Sequence, residues 1–306
     1  MSDRTDRPLP RGGETVVVAI DIGNTAAKWA IATTGGIVGD CDRISLRVDD
    51  WPDRITAASR SVAGGRPIEY RVAAVNAPAR DRFSEHLRQS GRLHGRSRFG
   101  DSDQGDSLRV IDWAEISIKP RLPHPERVGI DRLLAAWQAS RLYPQRWLVV
   151  VDAGSAITVD CVSPAGDFLG GAILPGLSMQ LAALGSGTDA LPVIELDDAA
   201  ESVPPALPIP ATDTVTAIRA GVLLGTAAAI DGLVARSWRS VVNRYGAAAT
   251  VAHDGAAFQM VFSGGDARRL SPWLTQPHLV HAELVVQALL QEFDQAAELS
   301  SPGSSR

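Results

Sequence analysis

The sequence predicts a duplicated two-domain α/β fold with mixed sheets, on three observations. First, an Asp-x-Gly pattern occurs twice. Asp21 and Gly23 return as Asp152 and Gly154, then Gly35 and Gly39 as Gly166 and Gly170, each pair 131 positions apart with no gap. Second, each copy reads as three short apolar runs divided by turns, the pattern of a β-meander. Third, helical patterns and further strands follow the first copy, the strand, helix, strand order of an α/β protein. At 306 residues the chain exceeds one ordinary core, so two domains are expected. The expected boundaries are a disordered tail over 1–14, an N-terminal domain over 15–143, a C-terminal domain over 144–298 and a second disordered tail over 299–306.

Apolar residues make up 45% of the chain and charged residues 21%, an ordinary globular balance. A formal net charge of −5 argues against a nucleic-acid or anionic-membrane partner, which needs clustered Lys and Arg. Cys41 and Cys161 form no Cys-x-x-Cys, as expected of a reduced chain. The first fourteen residues lack the apolar centre of a signal peptide, and no apolar run approaches the ~20 residues of a membrane helix. A cytoplasmic protein is expected.

The first meander is expected over 15–46, with Lys28 just past the Asn24-Thr25 tip, where it can reach a phosphate. An amphipathic helix follows over 49–64, then a strand over 68–75 and a helix over 81–89 after Pro78. Residues 91–107, rich in Gly and Ser, read as a loop. A strand is expected over 110–118. A Pro-rich approach then leads to Gly129-Ile130-Asp131-Arg132 at the start of a helix over 133–142. A carboxylate there suits the helix dipole, whereas the adjacent cation does not. The second meander is expected over 147–171, and Gly170 and Gly171 signal a close backbone approach. Residues 191–210 hold too many prolines for a helix. A helix over 214–236 carries Gly221, Gly225 and Gly232, which imply packing against the other domain or another subunit. A short strand is expected at 250–252. Met260 to Ala267 reads as strand, Gly264-Gly265 turn and helix start, a geometry suited to a flat ligand or phosphate. His278 and His281 read as surface or strand residues, and a last helix is expected over 284–298.

Several chemistries have no anchor. There is no P-loop and no Gly-x-Gly-x-x-Gly, and no histidine lies at metal-ligand spacing from Cys or carboxylates. Gly176-Leu177-Ser178 begins like a nucleophile elbow, but Gln180 stands where the second Gly belongs. What remains is a pair of Asp-x-Gly turns, the Gly-x-Asp-Arg at 129–132 and the distal Gly264-Gly265; the turns' amides and small hydroxyls can wrap phosphate oxygens while the aspartates hold a cation. The halves are expected to face each other across one nucleotide.

These residues resemble the superfamily of acetate kinase, sugar kinases, heat-shock-70 and actin, and more narrowly the type III pantothenate kinases. The resemblance rests on Asp21-Ile22-Gly23-Asn24-Thr25 with Lys28, on Gly129-Ile130-Asp131-Arg132, and on the run from Asp152 to Asp160. Gly170 to Gly176 and Thr214 to Gly221 complete it. It implies an actin-like, ribonuclease H-like two-domain fold and transfer of a phosphoryl group from ATP to the primary hydroxyl of pantothenate, the first step toward coenzyme A. It further implies that Asp21, Ile22, Gly23, Asn24, Thr25, Ala26, Ala27, Lys28 and Ser155 bind ATP, which enters with Mg2+. Asp152 would bind a monovalent cation, K+ or NH4+. Gly129, Ile130, Asp131, Arg132 and Thr214 would hold pantothenate, with Asp131 as general base, in a homodimer.

This chain departs from the family pattern in Ser155 for Thr, Ile130 for Ala, Asp213 for Asn and Leu122 near a usual Tyr. These changes bear on the pantothenate pocket more than on ATP. Two alternatives stand beside the main reading: a kinase of another small hydroxy acid on the same fold, and a catalytically degenerate regulatory or binding member.

Overall fold

The computed structural model describes residues 15–91, 93, 105–196, 207–246 and 257–291. Both tails, most of the 91–107 loop, the strand at 250–252 and the end of the last helix lie outside these residues. Two compact units result. The first comprises Met1–Ser117, Gly129–Leu134 and Val285–Arg306, and the second Ile118–Val128 and Ala135–Leu284. The chain therefore crosses between units after Ser117, Val128, Leu134 and Leu284, not once after residue 143.

The first sheet holds β1 (Val16–Ile22), β2 (Ala26–Thr33), β3 (Gly36–Ser45), β4 (Ile68–Ala74) and β5 (Ser107–Val110), in the order β3-β2-β1-β4-β5. The second holds β6 (Lys119–Pro120), β7 (Leu148–Ala153), β8 (Ala156–Val162), β9 (Asp167–Pro175), β10 (Gln259–Ser263) and β11 (His278–Val280), in the order β11-β10-β7-β8-β9-β6. In both, an antiparallel meander is extended from its first strand by two parallel strands. The duplicated α/β architecture with mixed sheets is thus present. β1 and β7 are buried along nearly their whole length, as strands covered on both faces must be.

The gapless offset of the sequence conceals two compensating changes. Asp21 lies opposite Lys28, whereas Asp152 lies opposite Thr158, one residue sooner. At the next turn Thr33 faces Gly36 across two residues, but Ser163 bonds Asp167 (2.9 Å) across three. One residue lost at the first turn of the second copy is regained at its second. Gly39 and Gly170 sit where the ladders shift register, both at positive φ (73° and 89°), the usual use of Gly at a bulge.

The helices are α1 (Trp51–Ala63), α2 (Ala77–Gln89), α3 (Ile130–Leu142), α4 (Leu177–Ser186), α5 (Thr214–Tyr245), α6 (Ala267–Leu270) and α7 (Leu284–Leu289). α2 starts earlier than the sequence suggested. Asn76 accepts the Ala79 amide at 3.0 Å, and Pro78 in the first turn forfeits only an amide that had no partner. The strand expected over 110–118 is corrected: β5 ends at Val110, and Asp112 and Glu115 form a capping box around a 3-10 turn at Trp113–Glu115. This pair satisfies amides that a ladder would have used. α5 runs to Tyr245 because Trp238, Val241 and Tyr245 continue its apolar spacing. Trp147 lies 6.0 Å from Trp238 and 5.2 Å from Tyr245, ring centre to ring centre.

By length and composition alone α5 is long and apolar enough to cross a membrane, but Arg219 and Asp231 bound its uncharged run, which stays short of a span. Its Ile218, Val222, Leu223, Ile230 and Val234 are buried in the second core with Val149, Val151, Ile157 and Phe262. The first core gathers Val18, Ile20, Trp29, Trp51, Ile55 and Phe83, with Trp51 stacked on Phe83 at 5.7 Å.

Candidate active site

In the first unit, β1 delivers Asp21 to the mouth of the first turn. Directly opposite residues of an antiparallel pair project to one face, so Asp21 and Lys28 flank the turn together, both half-buried. Ile22 and Ala27 are buried beneath them. Gly23 donates to Ala26 O at 3.0 Å, which leaves Asn24 and Thr25 as the exposed tip. Leu46 donates to Thr25 O at 3.0 Å and ties the tip to the end of β3.

The unrepeated motif reaches the same end of this sheet through Val75. Its amide donates to Ile22 O at 3.1 Å, and its Cγ1 lies 3.8 Å from the place a Gly129 Cβ would occupy. Gly129 O accepts from Arg132 and Leu133 at 3.1 and 3.3 Å, the first bonds of α3. The Asp131 carboxylate curls back, its Oδ1 accepting the Arg132 amide at 2.8 Å. The first unit thus places residues 21–28 and 129–132 beyond the carboxyl ends of β1 and β4, where open α/β sheets collect ligands.

In the second unit, Asp152 nears the end of β7 and Ser155 forms the tip between β7 and β8. Glycine backbones grip this turn from two sides. A methyl on Gly264, whose φ is +97°, would overlap Ala153 O and Asp152 Oδ1, and Asp266 N donates to Ala153 O at 2.9 Å. A methyl on Gly176 would overlap Gly154 O and come within 2.5 Å of Ser155 O. The Gly-Gly turn therefore divides its roles: Gly264 clears protein backbone, while exposed Gly265 faces open space. Gly170 and Gly171 likewise accommodate the protein itself, the one beneath Leu122 and the other against Val159 O and Asp160.

Thr214, also in this unit, is exposed as the first residue of α5. Asp213 caps the helix by accepting the Thr216 amide at 2.9 Å, and that hydrogen bond holds its carboxyl below the usual carboxylate range. Thr214 lines a groove of about 900 Å³ with Pro175, Gln180, Leu184 and Ile218.

Residues 17–236 match the family model for type III pantothenate kinase, well over half of the chain. The chain belongs to the type III pantothenate kinase family. A type III pantothenate kinase of Rhodopirellula baltica is 34% identical over 304 residues, covering 90% of this chain and 100% of the relative. That of Alkalilimnicola ehrlichii is 38% identical over 273 residues, covering 89% and 95%. Among solved structures, the activator of the 2-hydroxyisocaproyl-CoA dehydratase from Clostridium difficile with bound ADPNP is 17% identical. It covers 90% of this chain and 92% of that one at a TM-score of 0.41. The polyphosphate/ATP-glucomannokinase of Arthrobacter sp. strain KM gives 14%, 90% and 97%, at 0.37. At such values the solved structures add nothing to the family assignment.

A type III pantothenate kinase handles ATP, and the donor set suits a phosphate-borne cation. Among the described residues no three His, Cys, Asp or Glu side chains gather. Mg2+ commonly takes one or two carboxylates and completes its shell with phosphate oxygens and water. Asp152 and the hydroxyl and carbonyl oxygens of its turn are the hard donors such an ion or a monovalent cation prefers. Val75 was absent from the expected site, and Gly264 and Gly176, which the sequence marked for a ligand or as part of a motif, prove to accommodate the second turn itself. The glycines were visible as glycines, but the partner each accommodates is distant in sequence.

Proposed function

We propose that this chain binds ATP and pantothenate and phosphorylates the primary hydroxyl of pantothenate, with roles divided as follows. Residues 21–28 and Ser155 hold the ATP phosphates, Lys28 as their cation and the turn amides as donors. Mg2+ neutralises phosphate charge when bound, and Asp152 serves a monovalent cation. Residues 129–132 and Thr214 hold pantothenate. Arg132 offers a planar donor fork to a carboxylate or phosphate oxygen. Asp131 orients the hydroxyl and accepts its proton late, since phosphoryl transfer has a loose transition state in which positioning and charge neutralisation do most of the work.

The observation that carries this reading is that one unit places Asp131's motif and the 21–28 turn beyond the ends of adjacent strands, joined through Val75. A homodimer is supported by α5. Thr214, Ala217, Gly221, Gly225, Ala228 and Gly232 form an exposed stripe of small residues, and a methyl on any of its glycines would meet nothing within 4 Å. The open space beside these glycines leaves room for the close backbone approach of a neighbour, which a second subunit would supply. A cytoplasmic setting, with neither nucleic acid nor membrane as partner, fits the acidic balance of the chain.

The test is ADP release with ATP, Mg2+ and K+ over a panel of small hydroxy acids that includes pantothenate. Turnover confined to pantothenate is expected. Turnover of another acid alone would replace the substrate, and no turnover at all would contradict an enzyme.

A further inference from the structure

We infer that Gly129 is a positioning residue for Asp131, acting by the absence of its Cβ, in addition to whatever its main chain offers the substrate. The inference rests on the functional reading above and refines it. Of the site glycines, Gly129 alone is set against a side chain that the reaction uses and against nothing rigid. Its φ lies outside the left-handed region, so its backbone admits any residue. A methyl there would overlap Asp131 Oδ1, whereas the next side chain, Val75 Cγ1, would stand at an ordinary 3.8 Å. Gly264 and Gly176, by contrast, abut main-chain oxygens, and substituting them disturbs the fold itself.

The consequence follows from how Asp131 is held. Its Oδ1 accepts the Arg132 amide at 2.8 Å, a bond that aims the carboxylate across the start of α3. A Cβ at residue 129 forces that oxygen away and breaks the bond. The carboxylate remains present and ionisable but misaimed, and small displacements of a reacting group cost large factors in rate, about 10²-fold for ~1 Å. Gly129→Ala should therefore lower kcat with little change in KM for pantothenate. An Ala in place of Gly at a helix start also weakens the cap, whereas Ser caps well. Gly129→Ser carries the same Cβ and a capping hydroxyl, but that hydroxyl competes for the Arg132 amide, so Gly129→Ala isolates the effect of the Cβ.

The experiment is a double-mutant cycle on the full chain, with steady-state kinetics for wild type, Gly129→Ala, Gly129→Ser, Asp131→Ala and the doubles. Both single Gly129 variants should lose about 10- to 100-fold in kcat with pantothenate KM within about threefold. Once Asp131 is Ala, adding either should change kcat less than about twofold. An equal loss in both backgrounds, or a raised KM at unchanged kcat, would show that the added Cβ acts on the pantothenate pocket and not through Asp131, and would overturn the inference. A crystal structure of Gly129→Ala separates this outcome from failure of the functional reading. Whatever the wild-type substrate, the Asp131 carboxylate must be displaced and its bond to the Arg132 amide lost, and an unmoved carboxylate refutes the positioning role.

Discussion

At the first Asp-x-Gly turn, Asn24 and Thr25 are exposed, and a methyl on Gly23 would find its nearest neighbour at 3.3 Å, the Ala26 carbonyl. At the second, Gly176 and Gly264 press against three carbonyls and the Asp152 carboxylate. The same sequence pattern therefore occupies two mechanical settings. The first tip is open and carries Lys28 opposite its aspartate, which suits the phosphate role proposed for it. The second is built into its own unit and offers Thr158 at the corresponding place, which suits a fixed cation site. Duplication supplied two turns, and packing distinguished them.

The largest effect that would expose this difference is on stability. Gly264→Ala combines overlap with backbone and a left-handed φ, and should lower unfolding free energy by about 3 kcal/mol in urea titrations. A loss below about 1 kcal/mol would mean that the second turn is as free as the first. Lys28→Met should do the reverse, leaving stability within about 0.5 kcal/mol while cutting kcat/KM for ATP by about 10²-fold. Wild-type ATP kinetics in that variant would remove Lys28 from phosphate handling. Smaller still, Gly23→Ala should cost about 1 kcal/mol or less, because only the Ala26 carbonyl must yield.

The smallest expected effect concerns the strand beyond the second turn. Gly264 N donates to Ala282 O at 3.3 Å, and the adjacent His281 Nε2 meets the Tyr143 hydroxyl at 2.7 Å. Burial lowers the His281 pKa from 6.5, favouring the neutral ring in its hydrogen bond with Tyr143. The unfolded chain then binds more protons than the fold as pH falls through 6.5. Stability contributed by this group is complete above that value and declines below it, toward the depressed folded pKa. His281→Phe should flatten that part of the stability profile, and an unchanged slope would exonerate the pair.

Much of this was legible in the sequence. Both meanders and the placement of Asp131 at a helix start follow from local periodicity and turn chemistry. Features set by side chains far apart in sequence were not legible. The length of α5 depends on the distant Trp147, whereas the end of β5 is set by a local signal, the Asp112 and Glu115 capping box, that the apolar spacing of 110–118 masked. The one-residue exchange between the turns of the second meander is invisible because loss and gain restore the same offset. In the site, the residue types were readable, but which glycine clears a ligand and which clears protein required Ala153, Ser155 and Asp131 to be placed.

The central claim is that the unrepeated motif beside the open turn performs phosphoryl transfer to pantothenate. Pantothenate-dependent ADP release by wild type and Asp131→Asn, measured side by side, tests it most directly. The account predicts turnover by wild type and a loss of about 10²-fold or more in the variant. Release by the variant within about threefold of wild type would contradict it.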